Sequence, residues 1–462
     1  MSVASLSAPI RDRRAAAPTP MNPRFALWAA MLGFFVVALD AQVVNVALPD
    51  IRTDLSANLS GLQWVVTGYT LMFTALLLFA GTLADRIGAR RTYGIGMGVF
   101  VVASGLCGLA PSLGVLVAAR MLQGVGAALV TPTSLALIRS AYLDSTDRAK
   151  AIALWAMGGA VAAAAGPLLG GALTQVGWRL IFFLNVPAGA AAFAVLARVR
   201  RSDRRAVPFD WTGQFSAIVA LAALTFAVIE GGASGYGSPI ILAAFGLAIA
   251  GAAVFLTAQV RGRHPIVPLS LLRSRRVGFA LTAGFVGMVG FYGVVFLQSL
   301  YFQTERGQSP WQTGLLFLPM TALVAILNPV AVRTAVRFGR LPTIVGGLVT
   351  LAAGLTALAA APVDTPTALV AAMMIPVGVG GSFTVPPIIA LLIDSVPAPQ
   401  AGTASGVLNT ARQLGGALGV AVFGAIVGQA GFLPGLRISL LATAVLVLAT
   451  AAAARLARSH GQ

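Results

Sequence analysis

The sequence predicts an all-α protein that crosses a membrane many times. Three observations carry that prediction. Of 462 residues, 58% are hydrophobic and only 10% are charged, whereas soluble chains carry about 25% charged residues. The apolar residues fall in long runs, and a helix needs about 17–25 of them to cross a hydrocarbon core. The basic residues fall between the runs on alternate sides, the positive-inside pattern of a multi-pass chain.

Fourteen spans can be marked in order. Residues 1–24 are polar, contain Pro and Arg, and lack a short apolar core with a small-residue cleavage site. They read as a tail, and the long apolar run after them as a retained membrane helix. Spans at 26–48, 62–81, 93–110, 114–138, 151–175 and 179–198 follow, joined by short loops. Arg198 to Pro208 (RVRRSDRRAVP) is a charged connector and the clearest boundary. Spans at 211–230 and 238–260 form a pair, and Arg261 to Arg276 is a second basic connector. Spans at 277–301, 312–334, 342–361, 367–391, 404–428 and 436–458 complete the chain. The expected organisation is a tail (1–24), a six-helix bundle (25–205), an extra helix pair with its connectors (206–265) and a second six-helix bundle (266–462). A weak echo links the bundles: GTLADRIGARR (81–91) follows span two and VRTAVRFGRLP (332–342) follows span ten. Duplicated halves around a pathway are a usual construction of secondary transporters.

The net charge of +18 is a topology signal, not a nucleic-acid footprint. All but six of the 31 Lys and Arg residues lie in the tail, after spans two, four, six, eight and ten, or at the C-terminus. Arg52, Arg179, Arg306 and Arg437 lie at the opposite face, and Arg120 and Arg412 lie within spans. Both termini are therefore expected in the cytoplasm. The single Cys107 allows no intrachain disulfide. His264 and His460 lie outside the spans, so neither a His-rich metal site nor an intramembrane His relay is expected. Lys150 is the only lysine and follows Ala149, which excludes the Gly-Lys of an ATP-binding P-loop. With no cofactor expected, an ion gradient must drive any transport. No Gly-x-Ser-x-Gly, His-Glu-x-x-His or intramembrane Asp pair indicates an enzyme. The composition, rich in Arg and Ala and poor in Lys, points to a high-GC bacterium and to its plasma (inner) membrane.

Among thirteen acidic residues, Asp40 alone lies well inside a hydrophobic run (FFVVALDAQVVNVALP). An ionisable group there is expensive and marks function by default. It reads as a proton or substrate coupling group, against a packing hydrogen bond or a pair with an arginine. Arg120, in ARMLQGVGAAL, cannot discard its charge and needs a carboxylate, carbonyls or water; Gln123 and Gly124 continue its polar, small face. Arg412, with Asn409 and Gln413, opens span thirteen and reads equally as a site residue or a membrane anchor. Asp85 ends span two and reads as a cytoplasmic lock on a helix N-terminus or an arginine, or as a solvated turn. Glu230 stands at an outer span end. Trp64, Tyr69, Phe291, Tyr292 and Phe296 either line a cavity for planar molecules or face lipid or the core. Gly158 to Gly171 (GGAVAAAAGPLLGG) would be costly in a soluble helix; in a bilayer its small residues let a neighbouring helix approach closely and mark a moving contact.

Several of these motifs resemble a known family. Gly81, Leu83, Asp85, Arg86, Gly88, Arg90 and Arg91 are similar to the loop motif between helices two and three of the major facilitator superfamily. Arg120, Gln123, Gly124 and Gly126 resemble its fourth-helix motif. Gly158, Gly166-Pro167 and Gly170-Gly171 resemble the fifth-helix antiporter motif found mainly in exporters. Leu39-Asp40 with Val43, Val44, Asn45, Ala47, Leu48 and Pro49 resembles the first-helix motif of the 14-span drug/proton antiporters. Trp178-Arg179, Phe182, Asn185, Pro187, Gly189, Asp210-Trp211, Gly213 and the stretch 401–419 are similar to that family as well. The resemblance implies a major facilitator fold of two six-helix bundles plus two central helices, and alternating access coupled to protons. It places Asp40, Arg120, Gln123 and Asn45 in the coupling and substrate region. Asp85 and its neighbours fall at a cytoplasmic gate, and Gly166-Pro167 at the contact that rearranges. Broad exporters of divalent cations often carry an acidic residue in helix ten, where this chain reads LFLPM (316–320). The expected function is therefore export of a drug, antibiotic or other small amphipathic molecule by a functional monomer, of the methylenomycin-resistance type. The alternative is a proton-coupled importer or facilitator of a small metabolite.

Overall fold

The computed structural model describes residues 23–200, 202, 204, 208–262, 265–267, 269–397 and 400–458. The expected N-terminal tail falls outside them except for Pro23 and Arg24, and both histidines fall outside altogether. Among the described residues the structure is helical, without strands, and each of the fourteen expected spans is filled.

The first bundle comprises α1 (Arg24–Asp54), α2 (Leu59–Ile87), α3 (Ala89–Gly108), α4 (Leu113–Ala141), α5 (Ser145–Val176), α6 (Leu180–Phe183) and α7 (Asn185–Leu196). The pair is α8 (Trp211–Ser234) and α9 (Pro239–Arg261). The second bundle comprises α10 (Arg275–Leu300), α11 (Pro310–Phe338), α12 (Arg340–Ala360), α13 (Thr367–Met373), α14 (Ile375–Asp394), α15 (Ala401–Ala430) and α16 (Phe432–Arg458). Twelve helices are long and apolar enough to cross a membrane, with α13 and α14 forming one. Helix α3 opens on Arg90 and Arg91, which lower its apolar content, yet its 20 residues rise about 30 Å. The sixth span is two short helices, α6 and α7. Pro187 lacks the amide that would bond the carbonyl of Phe183, and the chain steps at Leu184 between them. Pro376 has the same effect at Met374, between α13 and α14.

Side-chain caps fix several helix starts. Asn58 accepts from the Gly61 amide at 2.8 Å, and Asp144 accepts from Thr146 and Asp147 at 2.9 Å. At α11, Ser309 and Gln312 bond each other's backbone in a capping box, satisfying donors that a helix N-terminus leaves open. Helices α2 and α3 meet at Gly88, and α11 and α12 at Gly339, both with φ of 94°. Only glycine adopts this region without strain. The echo between 81–91 and 332–342 is thus also a repeated backbone turn.

The bundles face each other along α5 against α11 and α2 against α15, with α1 touching α10. Helix α8 packs on both α2 and α15, while α9 packs on α8. Gln214 of α8 donates to the Ala75 carbonyl at 2.7 Å, and Trp64 of α2 donates to Glu230 of α8 at 2.8 Å. The extra pair is therefore fastened over one seam between the bundles.

Candidate functional site

The centre of the first bundle holds a closed polar cluster. Asp40 and Arg120 are fully enclosed, and Arg120 donates to Asp40 Oδ2 at 2.5 Å. Asp40 Oδ1 accepts from Gln123 at 2.8 Å and from Asn185 at 2.7 Å. Arg120 also donates to Gln123 Oε1 at 2.7 Å and, through Nε, to the Val65 carbonyl at 3.0 Å. The Tyr69 ring covers the guanidinium at 4.3 Å, and the Tyr69 hydroxyl donates to the Val37 carbonyl at 3.1 Å. Four helices, α1, α2, α4 and α7, thus converge on one ion pair.

Ser104 of α3 stands behind the pair. Its hydroxyl accepts from Gln123 at 2.9 Å and from Asn185 at 2.8 Å, and donates to the Phe182 carbonyl at 3.0 Å. The two side-chain amides are thereby held with their NH2 groups toward the Asp40 carboxylate. Cys107 Sγ lies 3.7 Å from Gln123 Oε1 and completes the shell. An unpaired charge this deep costs several kcal/mol, and pairing with full hydrogen bonding offsets that cost. The guanidinium and both amides converge on the Asp40 carboxylate, which ties α1 to α4 and α7.

The structure brings Asp40, Arg120 and Gln123 together but leaves Asn45 apart. Asn45 donates along its own helix to Ala41 and Gln42 at 3.2 and 3.3 Å, and its backbone carbonyl accepts from Ser299 of α10 at 2.6 Å. Asn45 belongs to the seam between the bundles. Ser104 and the role of Asn185 escape a reading of the sequence alone. Their signal is a polar residue inside an apolar run, FLNVPAG and VASGLCG, which helix packing explains equally well.

The other candidates fall in separate places. In the turn between α2 and α3, Asp85 is exposed and, among the described residues, has no hydrogen bond or ion pair. Arg86 lies over the Phe209 ring at 4.9 Å. Arg90 donates to the Leu196 and Ala197 carbonyls at 3.2 and 3.3 Å, tying the turn to the end of α7; Gly81 and Arg91 are near the surface. The glycines of α5 split between two neighbours. Gly158, Gly166 and Gly170 face α1 at Met31, Gln42 and Val43, whereas Gly171 abuts Pro310 of α11. The Pro167 carbonyl lies against Gly314, where an added Cβ would approach it to 2.5 Å. Helix α5 stays continuous through Pro167. Arg412 and Asn409 stand on α15, where the Arg412 stem rests on Gly284 of α10 and Asn409 is half-buried, and Glu230 accepts from Trp64. Phe296 is fully buried, while Phe291 and Tyr292 are partly accessible.

Hydrogen bonds joining the bundles are confined in depth. Gln63 donates to the Val420 and Ala421 carbonyls at 3.2 and 2.7 Å. Gln303 donates to Val46 at 2.9 Å, and Thr321 donates to Ala164 at 3.3 Å. Among the described residues, all such bonds fall in the middle or in the half away from the arginine-rich ends.

Comparison with known proteins agrees with this architecture. The family model of the Major Facilitator Superfamily matches residues 30–420. "Multidrug resistance protein Stp" of Mycobacterium tuberculosis is 39% identical over 403 residues, covering 87% of this chain and 75% of that protein. "Methylenomycin A resistance protein" of Bacillus subtilis is 37% identical over 403 residues, 86% of each chain. "Tetracenomycin C resistance and export protein" of Streptomyces glaucescens is 34% identical over 411 residues, covering 87% and 76%. The solved structure of a bacterial homolog to the human lysosomal transporter Spinster superposes with a TM-score of 0.66 at 18% identity, covering 96% of this chain and 98% of that one. A multi-pass helical chain in two facing bundles, matched by that family model over most of its length, belongs to the major facilitator superfamily of membrane transporters.

Proposed function

We propose that this protein is a proton-coupled exporter. It moves a drug, antibiotic or similar small amphipathic molecule out across a bacterial plasma membrane by alternating access, as a monomer with both termini in the cytoplasm. The observation that carries the proton coupling is the enclosed Asp40–Arg120 pair, a carboxylate held where α1, α4 and α7 meet. Protonation of Asp40 releases Arg120 and loosens α1 from α4 and α7; deprotonation restores the pair. The export direction rests on the resistance and export functions named for the relatives and on the small-residue face of α5. With the arginine-rich ends taken as cytoplasmic, the hydrogen-bonded seam closes the outer side, and the unpaired Asp85 belongs to an opened inner gate. The gradient is the only energy source this scheme needs.

The test is a resistance screen in a pump-deficient bacterium, followed by transport of the protected compound in vesicles with an imposed pH gradient. Wild type accumulates the compound on the acidic side, and Asp40→Asn does not. Equal gradient-driven transport by Asp40→Asn would overturn the proton role, and accumulation on the alkaline side would overturn antiport.

A further inference from the structure

Arg412 is the second arginine within the spans, and its surroundings are the reverse of those of Arg120. It lies 11 residues into α15, about 17 Å along the helix. Its aliphatic stem rests on Gly284 of α10, where an added Cβ would come within 3.1 Å of Cγ. Its Nε is enclosed and has no hydrogen-bond partner, while the residue as a whole stays partly accessible. Among the described residues no carboxylate pairs with it. The sequence explains why: beyond residue 276 the only acidic residues are Glu305, Asp364 and Asp394. These sit at helix ends or in a loop, and Asp394 is already paired with Arg340. The second bundle therefore holds a permanent cation and no anion of its own to meet it.

The cation also has a defined neighbourhood. Tyr292 of α10 packs on Gly416, one turn along α15, and lies within electrostatic range of Arg412. Tyr292 is likewise within range of Tyr69, whose ring covers Arg120. An arginine cannot shed its proton, and leaving it unpaired in a dry interior costs several kcal/mol. Its planar fork is matched to a carboxylate, which it binds through two parallel hydrogen bonds.

We infer that Arg412 seats an anionic group of the cargo, so that the molecule moved is an organic acid whose carboxylate lies on the guanidinium and whose ring body lies against Tyr292. This rests on the export reading and names its substrate class. It also accounts for the interior of the second bundle carrying no carboxylate, since an acidic residue beside Arg412 would compete with the cargo.

The test is equilibrium dialysis on the purified full chain in neutral detergent, at constant pH and without a gradient. The probes are matched trios: naphthoate, its methyl ester and naphthyltrimethylammonium, and the anthracene equivalents. The carboxylates are expected to bind best. Arg412→Gln should weaken them by about tenfold or more, the loss of one charge-assisted bidentate contact, and leave the esters within about twofold. Arg412→Lys should retain part of the preference. Ester binding shows that each variant is folded. The proposal is overturned if the cations bind as well as the acids, if the preference survives Arg412→Gln, if no carboxylate binds, or if phosphatidylglycerol saturates the site and carboxylates do not. Asp40→Asn should leave the preference intact. Loss of gradient-driven transport with this preference retained bears on coupling alone, and loss of the preference with transport retained bears on Arg412 alone.

Discussion

Replacing Asp40 by Asn puts a donor where three donors already converge. Asp40 Oδ2 accepts from Arg120, and Oδ1 accepts from Gln123 and Asn185. If the asparagine oxygen faces Arg120, its NH2 meets the two amide NH2 groups. If it is flipped, its NH2 meets the guanidinium. Either way Arg120 keeps its charge and loses its counter-ion while almost wholly enclosed. Removing one partner of a buried pair costs about 3–5 kcal/mol, whereas replacing both by uncharged groups of similar shape is near neutral. Arg120→Gln alone strands the carboxylate and should cost a similar amount. The double variant Asp40→Asn with Arg120→Gln should therefore be more stable than either single one, with a coupling energy of about 3 kcal/mol, the upper end for residues in contact. The assay is thermal unfolding of the purified protein in detergent, with gradient-driven transport in parallel. Transport should stay abolished in all three variants. A double variant as unstable as the sum of the singles, or an Asp40→Asn protein of unchanged stability, would refute the reasoning.

Four further outcomes follow from the same geometry. Ser104→Ala removes the acceptor that both amides share, and should shift the pH dependence of transport while leaving the fold intact, as read by a pH–rate profile against Ser104→Thr. Gly171→Leu forces α5 away from Pro310 of α11, and cysteines introduced at that end should become reactive to an impermeant thiol reagent. Gly88→Ala must adopt a φ of 94° and meets the Ser202 carbonyl at 3.1 Å, costing about 1–2 kcal/mol and lowering the folded yield. Glu230→Gln weakens the bond from Trp64 by about 1.5 kcal/mol, and should lower the melting temperature with transport largely retained.

The spans were legible because their signal is local: a hydrophobic run of sufficient length, with arginines at alternate ends, needs no tertiary information. The steps at Leu184 and Met374 were less so, because α1, α4 and α5 carry Pro49, Pro132 and Pro167 without breaking. Whether a proline divides a helix depends on what repairs the freed carbonyl, and that is set by neighbours. Asp40 and Arg120 stood out individually by their cost in a bilayer. Their pairing joins residues 80 apart, and Ser104 and Asn185 gain meaning only once α3 and α7 are placed behind that pair. The small residues of α5 announced a close contact, but the sequence does not say that most of them face α1 within the same bundle. Asp85 illustrates a different limit. Its position at a helix end is legible, whereas any partner would come from elements that its local sequence does not place.

The placement of α8 makes the two flanks of the transporter unequal. Where α2 meets α15, α8 lies across the join and packs on both helices. Where α5 meets α11, no helix from outside the bundles lies across the join among the described residues. That join is closed instead by direct backbone contact, Gly171 against Pro310 and Gly314 against Pro167. The extra pair, legible in the sequence only as two more spans, braces one join between the bundles and leaves the other to glycine contacts.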